Sequence, residues 1–253
     1  LMYITAQVVA LKTTFNSIFN LPPNAAAPAT IIVAITLIFE WVGGIHCVAL
    51  TDCVQGGIML VALLVLPMVI ASEFGGWRDL NPETYPKPEF YQTPTAQQQF
   101  GFWQFTVQTF TFFTLPHLTQ RIYAAGDLKS LKYAFTALTG GMWSMMMVGV
   151  FIGTVGVQML VDEDPAKVKE SPYAAIIEQV LDLGGFPKFV ALISVTASLA
   201  AIMSTADSLL IAISQLITEE IAYPMRPEAS PEEMAWVGRG ASLVAATIAT
   251  VMG

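Results

Sequence analysis

Ser204, Thr205, Asp207 and Ser208 stand together in an otherwise apolar run, Ala200-Ala201-Ile202-Met203-Ser204-Thr205-Ala206-Asp207-Ser208-Leu209-Leu210. At about 100° per residue, a helix puts Ala201, Ser204, Thr205 and Ser208 on one face, with Asp207 at its edge beside Ser204. Hard cations take oxygen ligands from hydroxyls, carboxylates and carbonyls. A regular helix uses its carbonyls internally, so a cation site of this kind draws side-chain oxygens from one helix and freed carbonyls from an interrupted one. Hydroxyls on such a face also serve as glue between helices, and for Ser204 taken singly that is the commoner role. Asp207 tips the cluster toward an ion site, because a carboxylate in a spanning helix costs at least about 2.5–3.5 kcal/mol and normally faces a polar partner or cavity.

A second carboxylate, Asp52, lies in Leu50-Thr51-Asp52-Cys53-Val54-Gln55-Gly56-Gly57, just after the helix-breaking Gly43-Gly44. A helix cap by Thr51 or Asp52 is the plainer reading of that pair. Glu40 and Lys12 are expected to snorkel from positions near helix ends, and no chemistry is assigned to them. A third cluster carries Trp103, Gln104, Thr106, Gln108, Thr109, Thr111 and Thr114 among phenylalanines, followed by Pro116-His117. Hydrogen-bonding groups among aromatics suit a solute pocket; a Thr-rich packing face is the alternative, and His117 reads as a structural hydrogen-bonder. With two His and two Cys in the chain, Cys47 and Cys53 read as small apolar residues, and neither a transition-metal centre nor a disulfide framework is expected.

The elements that must hold these residues are membrane helices. Hydrophobic residues make up 55% of the 253 and charged residues 12%, about half the usual charged share of a soluble domain. Mean hydropathy is +0.61. Apolar runs of about 20 residues, enough to cross a hydrocarbon core of about 30 Å, recur along the chain. The net charge of −8 and the scattered basic residues exclude a phosphate-tracking stripe, so nucleic acid is not an expected partner. The pattern predicts spans at about 1–19, 27–41, 45–71, 100–118, 133–161, 189–217 and 236–253, forming a single transmembrane domain. The first and last are partial, which reads as a chain cut at both ends. The link holding Arg121, Lys129 and Lys132 is placed in the cytoplasm by the positive-inside rule, with the acidic loops 72–99 and 162–185 outside.

Three stretches, taken together, resemble the sodium:solute symporter family. They are Gly43 to Gln55, then Leu115-Pro116-His117-Leu118-Thr119-Gln120-Arg121, and Ala200 to Ser208 continuing to Thr218-Glu219-Glu220. The resemblance implies an all-α integral membrane protein, part of a leucine-transporter-type bundle of two inverted five-helix repeats. In that register the chain runs from core helix three to the start of core helix nine. Core helices one, two and ten are absent, and the 253 residues alone are expected not to transport.

Carried over position by position, the family's main sodium site matches the Ala201 carbonyl and the Ser204 and Thr205 hydroxyls. A second cation site of some members matches Asp52, Ser204, Asp207 and Ser208, where Asp207 replaces a hydroxyl of some relatives and either strengthens cation binding or takes up a proton. Substrate contacts match Gln108, Thr111, Phe112 and Pro116, a set that departs from sugar transporters. The implied activity is sodium-coupled symport of a small organic solute by alternating access, with sodium as coupling ion and no cofactor or enzymatic step. The rivals are a proton-coupled carrier, the solute-sensing membrane domain of a sensor histidine kinase, a channel, and an intramembrane enzyme built on Asp52 and Asp207.

Overall fold

A computed structural model describes residues 1–19, 21–22, 24–80, 92–110, 115–156, 158–160 and 172–253, and among these every regular element is helical. In chain order the helices are α1 (Met2–Ile18), α2 (Ala27–Phe74), α3 (Ala96–Phe110), α4 (Pro116–Tyr123), α5 (Leu128–Phe151), α6 (Pro172–Asp182), α7 (Gly185–Leu216) and α8 (Pro231–Met252). A 3-10 turn at Trp77–Asp79, π-helical turns at Ile152–Gly156 and Ile217–Ala222, and a helical turn at Tyr223–Met225 lie between them. Among the described residues, four stretches are long and apolar enough to cross a membrane: Ala27–Asp79, Leu128–Gly156, Gly185–Met225 and Pro231–Met252.

The 48 residues of α2 would extend about 72 Å if straight, more than twice a hydrocarbon core. The helix breaks at Gly44, whose φ of 53° and ψ of −149° are open essentially only to glycine. Two predicted spans, 27–41 and 45–71, therefore lie on either side of one break within α2. The predicted span 100–118 falls on α3 and the start of α4, with residues 111–114 outside the described set.

The chain divides into two compact units, residues 1–64 with 181–253 and residues 65–180. In the first, Ile4, Val8 and Leu11 of α1 form an i, i+4, i+7 stripe, and Ala29, Val33 and Leu37 of α2 form another. They pack with Leu210 of α7 and with Ala245, Ala246 and Ala249 of α8. In lipid, burying apolar area gains little, so close backbone approach over small residues carries the packing. Gly238 shows how close it is, since a Cβ there would lie 2.6 Å from Ser214 Oγ and 3.2 Å from Thr218 Oγ1. Lys12, expected to snorkel, instead donates from Nζ to the Gly253 carbonyl at 3.1 Å.

In the second unit, Trp77 donates its indole N–H to Thr154 Oγ1 at 2.8 Å and meets Phe151 edge-on at 5.3 Å. The buried face of α6, with Ala175, Ile176, Ile177 and Val180, includes Ile176 packed over Gly156.

Helix α5 starts at Leu128, ahead of the predicted Tyr133, because Asp127 caps it through its carboxylate to the Ser130 amide at 2.7 Å. That bond and the Ser130 hydroxyl hold the Asp127 pKa below the ordinary carboxylate value. A depressed pKa means that the cap's stabilisation is complete above the unfolded-state pKa and is lost as pH falls through the folded one. Protection of the Ser130 amide, taken as its exchange rate relative to the unstructured rate at the same pH, is expected to fall over that acid range, and in Asp127→Ala to be low at every pH. Protection that does not change with pH in the unsubstituted protein counts against this.

Candidate cation site

The Ser204 side chain donates to Asp52 Oδ1 at 2.5 Å, joining α2 to α7 within the first unit. Thr51 and Asp52 lie inside α2, and the Thr51 hydroxyl donates back to the Val48 carbonyl at 2.9 Å, so neither residue caps a helix start. Because the break at Gly44 lies inside α2, Asp52 stands about two turns beyond it, on the side of the helix that meets Ser204 of α7.

On α7 the hydroxyls turn inward along their own helix. Thr205 donates to the Ala201 carbonyl at 3.0 Å, and Ser208 to the Ser204 carbonyl at 2.8 Å. Such bonds satisfy the hydroxyl proton and leave the oxygen's lone pairs as acceptors. Asp207 and Ser208 are buried, at 3% and 8% exposure, while Asp52, Ala201, Ser204 and Thr205 are half-buried. The expected strip is thus a partly sheltered row of oxygens, with two carboxylates near its middle. Its chemical capacity is that of a hard-cation site: acceptor oxygens, negative charge and partial exclusion of water.

Gln55, one turn beyond Asp52 on the same face of α2, holds its Oε1 buried with no hydrogen-bond partner among the described residues. Residue type and spacing alone do not single it out from its Gly-flanked polar run. The predicted solute contacts belong to the second unit: Gln108 lies on α3, Pro116 is the first residue of α4 behind Leu115, and Thr111 and Phe112 lie outside the described residues. Pro116 at a helix start needs no hydrogen-bond donor. His117 beside it is buried.

Glu40 corrects an expectation. It is 7% exposed rather than snorkelling, and it hydrogen-bonds Ser242 of α8. Trp41 also reaches Ser242, its indole N–H donating at 3.2 Å.

No solved structure matches the chain. Among characterised proteins it is 28% identical to sodium/proline symporters of Haemophilus influenzae and Escherichia coli, over 98% and 99% of this chain and 50% of each relative. It is 27% identical to a high-affinity proline transporter of Bacillus subtilis, over 99% of this chain and 52% of that protein. The chain spans about half the length of these relatives. The description "Sodium:solute symporter family" matches residues 1–253. Helices of spanning length make the chain a multi-pass membrane protein, and it belongs to the sodium:solute symporter family.

Proposed function

We propose that the parent protein carries out sodium-coupled symport of a small amino-acid-like solute, proline being the first candidate because the relatives named above are proline transporters. The observation that carries this reading is the bond between Ser204 and Asp52, which brings the oxygens of two helices together beside buried Asp207 and Ser208. In it, the Ala201 carbonyl and the Ser204 and Thr205 hydroxyls hold the main sodium ion. Asp52, Asp207 and Ser208 form a second cation site, to which Gln55 Oε1 adds an acceptor. Gln108, Thr111, Phe112 and Pro116 contact the solute.

The architecture proposed is the inverted five-plus-five repeat, of which this chain supplies the middle. Sodium helps only as far as it binds the outward-open state better than the inward-open one. Each sodium entering with the membrane potential contributes about 2.3 kcal/mol per 100 mV beyond its concentration gradient.

The test is uptake by the full-length parent in proteoliposomes, with an inward sodium gradient or with choline. The panel should hold proline, other small amino acids, an organic acid and a sugar. Sodium-dependent proline uptake, competed by few other panel members, is expected. Uptake that ignores sodium, follows a proton gradient and disappears in Asp207→Asn would replace the ion. Solute binding without any uptake would replace the carrier by a sensor.

A further inference from the structure

A cavity lies within the first unit, where the break in α2, the π-helical end of α7 and the start of α8 meet. Its volume is about 810 Å³, and its walls include Glu40, Trp41, Ser214, Thr218, Glu219 and Tyr223. None of these belongs to the strip around Ser204. Gly238 lets α8 come close at this wall, because any side chain there would run into the Ser214 and Thr218 hydroxyls.

The group that needs explaining is Glu40. One of its oxygens, Oε2, is fully buried and has no hydrogen-bond partner among the described residues, and the side chain's bond to Ser242 uses only part of its capacity. Glu40 also stands four residues before the break at Gly44, at the carbonyl end of a helical segment. Carbonyl oxygens there carry the negative end of the helix dipole, which disfavours an anion.

Arg239 lines the same cavity, with its guanidinium turned onto neutral partners. Arg239 donates from Nη2 to the Trp41 carbonyl at 3.2 Å, and its guanidinium lies 4.8 Å from the centre of the Trp236 ring. Two carboxyl groups, Glu40 at a negative helix end and Glu219, face one guanidinium, Arg239, around this cavity, which leaves room for one further positive charge.

We propose that this cavity is a second cation station, separate from the strip, that receives a monovalent positive charge at Glu40 with Glu219 on its wall. Hydroxyl and carboxylate oxygens suit an alkali ion. The aromatic faces of Trp41 and Tyr223 suit an ammonium group equally. A water molecule claims about 30 Å³ of liquid, so the space admits either a hydrated ion or the amine end of a small organic molecule. The station does not depend on the transport reading, and its test is equilibrium binding rather than uptake.

The experiment uses the purified full-length parent in detergent, in a Ser204→Ala background that weakens the strip. Binding of radioactive sodium and of radioactive methylammonium is measured by scintillation proximity, with choline chloride holding ionic strength constant. Saturable binding of at least one probe is expected, reduced at least tenfold at sub-saturating concentration by Glu40→Gln. That substitution keeps the shape and removes the charge. Glu219→Gln, on the cavity's more open side, is expected to weaken binding severalfold without threatening the fold, as elution volume would verify.

Sodium binding alone assigns the station to an alkali ion, and methylammonium binding alone assigns it to an amine. Absence of saturable binding of both, or binding unchanged in Glu40→Gln and Glu219→Gln, overturns the proposal and leaves Glu40 as a neutral hydrogen-bonding acid. Failure of uptake with binding intact would count against symport and leave the station standing.

Discussion

In the full-length parent, Asp52→Asn is expected to raise the sodium concentration for half-maximal uptake roughly tenfold to a hundredfold. The substitution keeps the size of the side chain and an oxygen for the Ser204 hydroxyl, but it removes the charge. Hydrogen bonds to charged groups are worth about 1.5–3 kcal/mol, and each 1.4 kcal/mol is a factor of ten in affinity. The Ser204–Asp52 bond ties α2 to the polar face of α7, so Ser204→Ala and Asp52→Asn are expected to be strongly non-additive. The measurement is the initial rate of uptake against sodium at fixed solute, for both single variants and the double. A double variant whose loss equals the sum of the singles would mean that the two residues act separately. An unchanged sodium requirement with a lower maximal rate would make Asp52 a positioning residue and remove it from the cation site.

The sequence made the polar strip legible because its residues are local. Ala201, Ser204, Thr205 and Ser208 follow from helical periodicity, and Asp207 stands out by its charge in an apolar run. The partner of Ser204 was not legible from residue type and spacing, since Asp52 is 152 positions away and either cap or ligand fitted its surroundings. Glu40 was misplaced for a related reason. A carboxylate beside Gly43-Gly44 sits at a helix end, where water would normally reach it, and only the packing of α8 through Ser242 buries it.

Helix starts were displaced for a different reason. Hydropathy marks the part of a helix that lipid solvates, whereas hydrogen bonds mark where the helix begins. Asp127 capping Ser130, and the reciprocal Ser230–Glu233 capping box, open α5 and α8 several residues before their apolar runs. The second of these signals was present in the residues, as Ser followed three positions later by Glu. Composition alone carried the membrane class, because it needs no partner to be known.

The glycine pair at the break in α2 offers the other large effect, and it separates two reasons for needing glycine. At Gly44 the reason is backbone conformation. Nothing lies within 4 Å of a Cβ built there, yet φ is +53°, and holding a non-glycine residue in such a region costs about 1–3 kcal/mol. At Gly43 the reason is space, since a Cβ would fall 2.0 Å from the Cβ of Cys47, an atom fixed to the backbone that cannot rotate away.

Gly44→Ala and Gly43→Ala are therefore both expected to destabilise the full-length parent in detergent, read as a fall in the temperature at which half the protein loses its monodisperse elution peak. Cys47→Gly should rescue Gly43→Ala in part and leave Gly44→Ala unrescued, because only the first contains a steric clash. Gly56 and Gly57 lie further along the same helix with open space around them and no positive φ. Alanine at either should be neutral or stabilising, as a better helix former. If Gly56→Ala and Gly44→Ala behaved alike, the break would not depend on the conformation at Gly44. The placement of Asp52 against Ser204 and of Glu40 beside Ser242 would then have to be set by packing against α7 and α8 rather than by the turn itself.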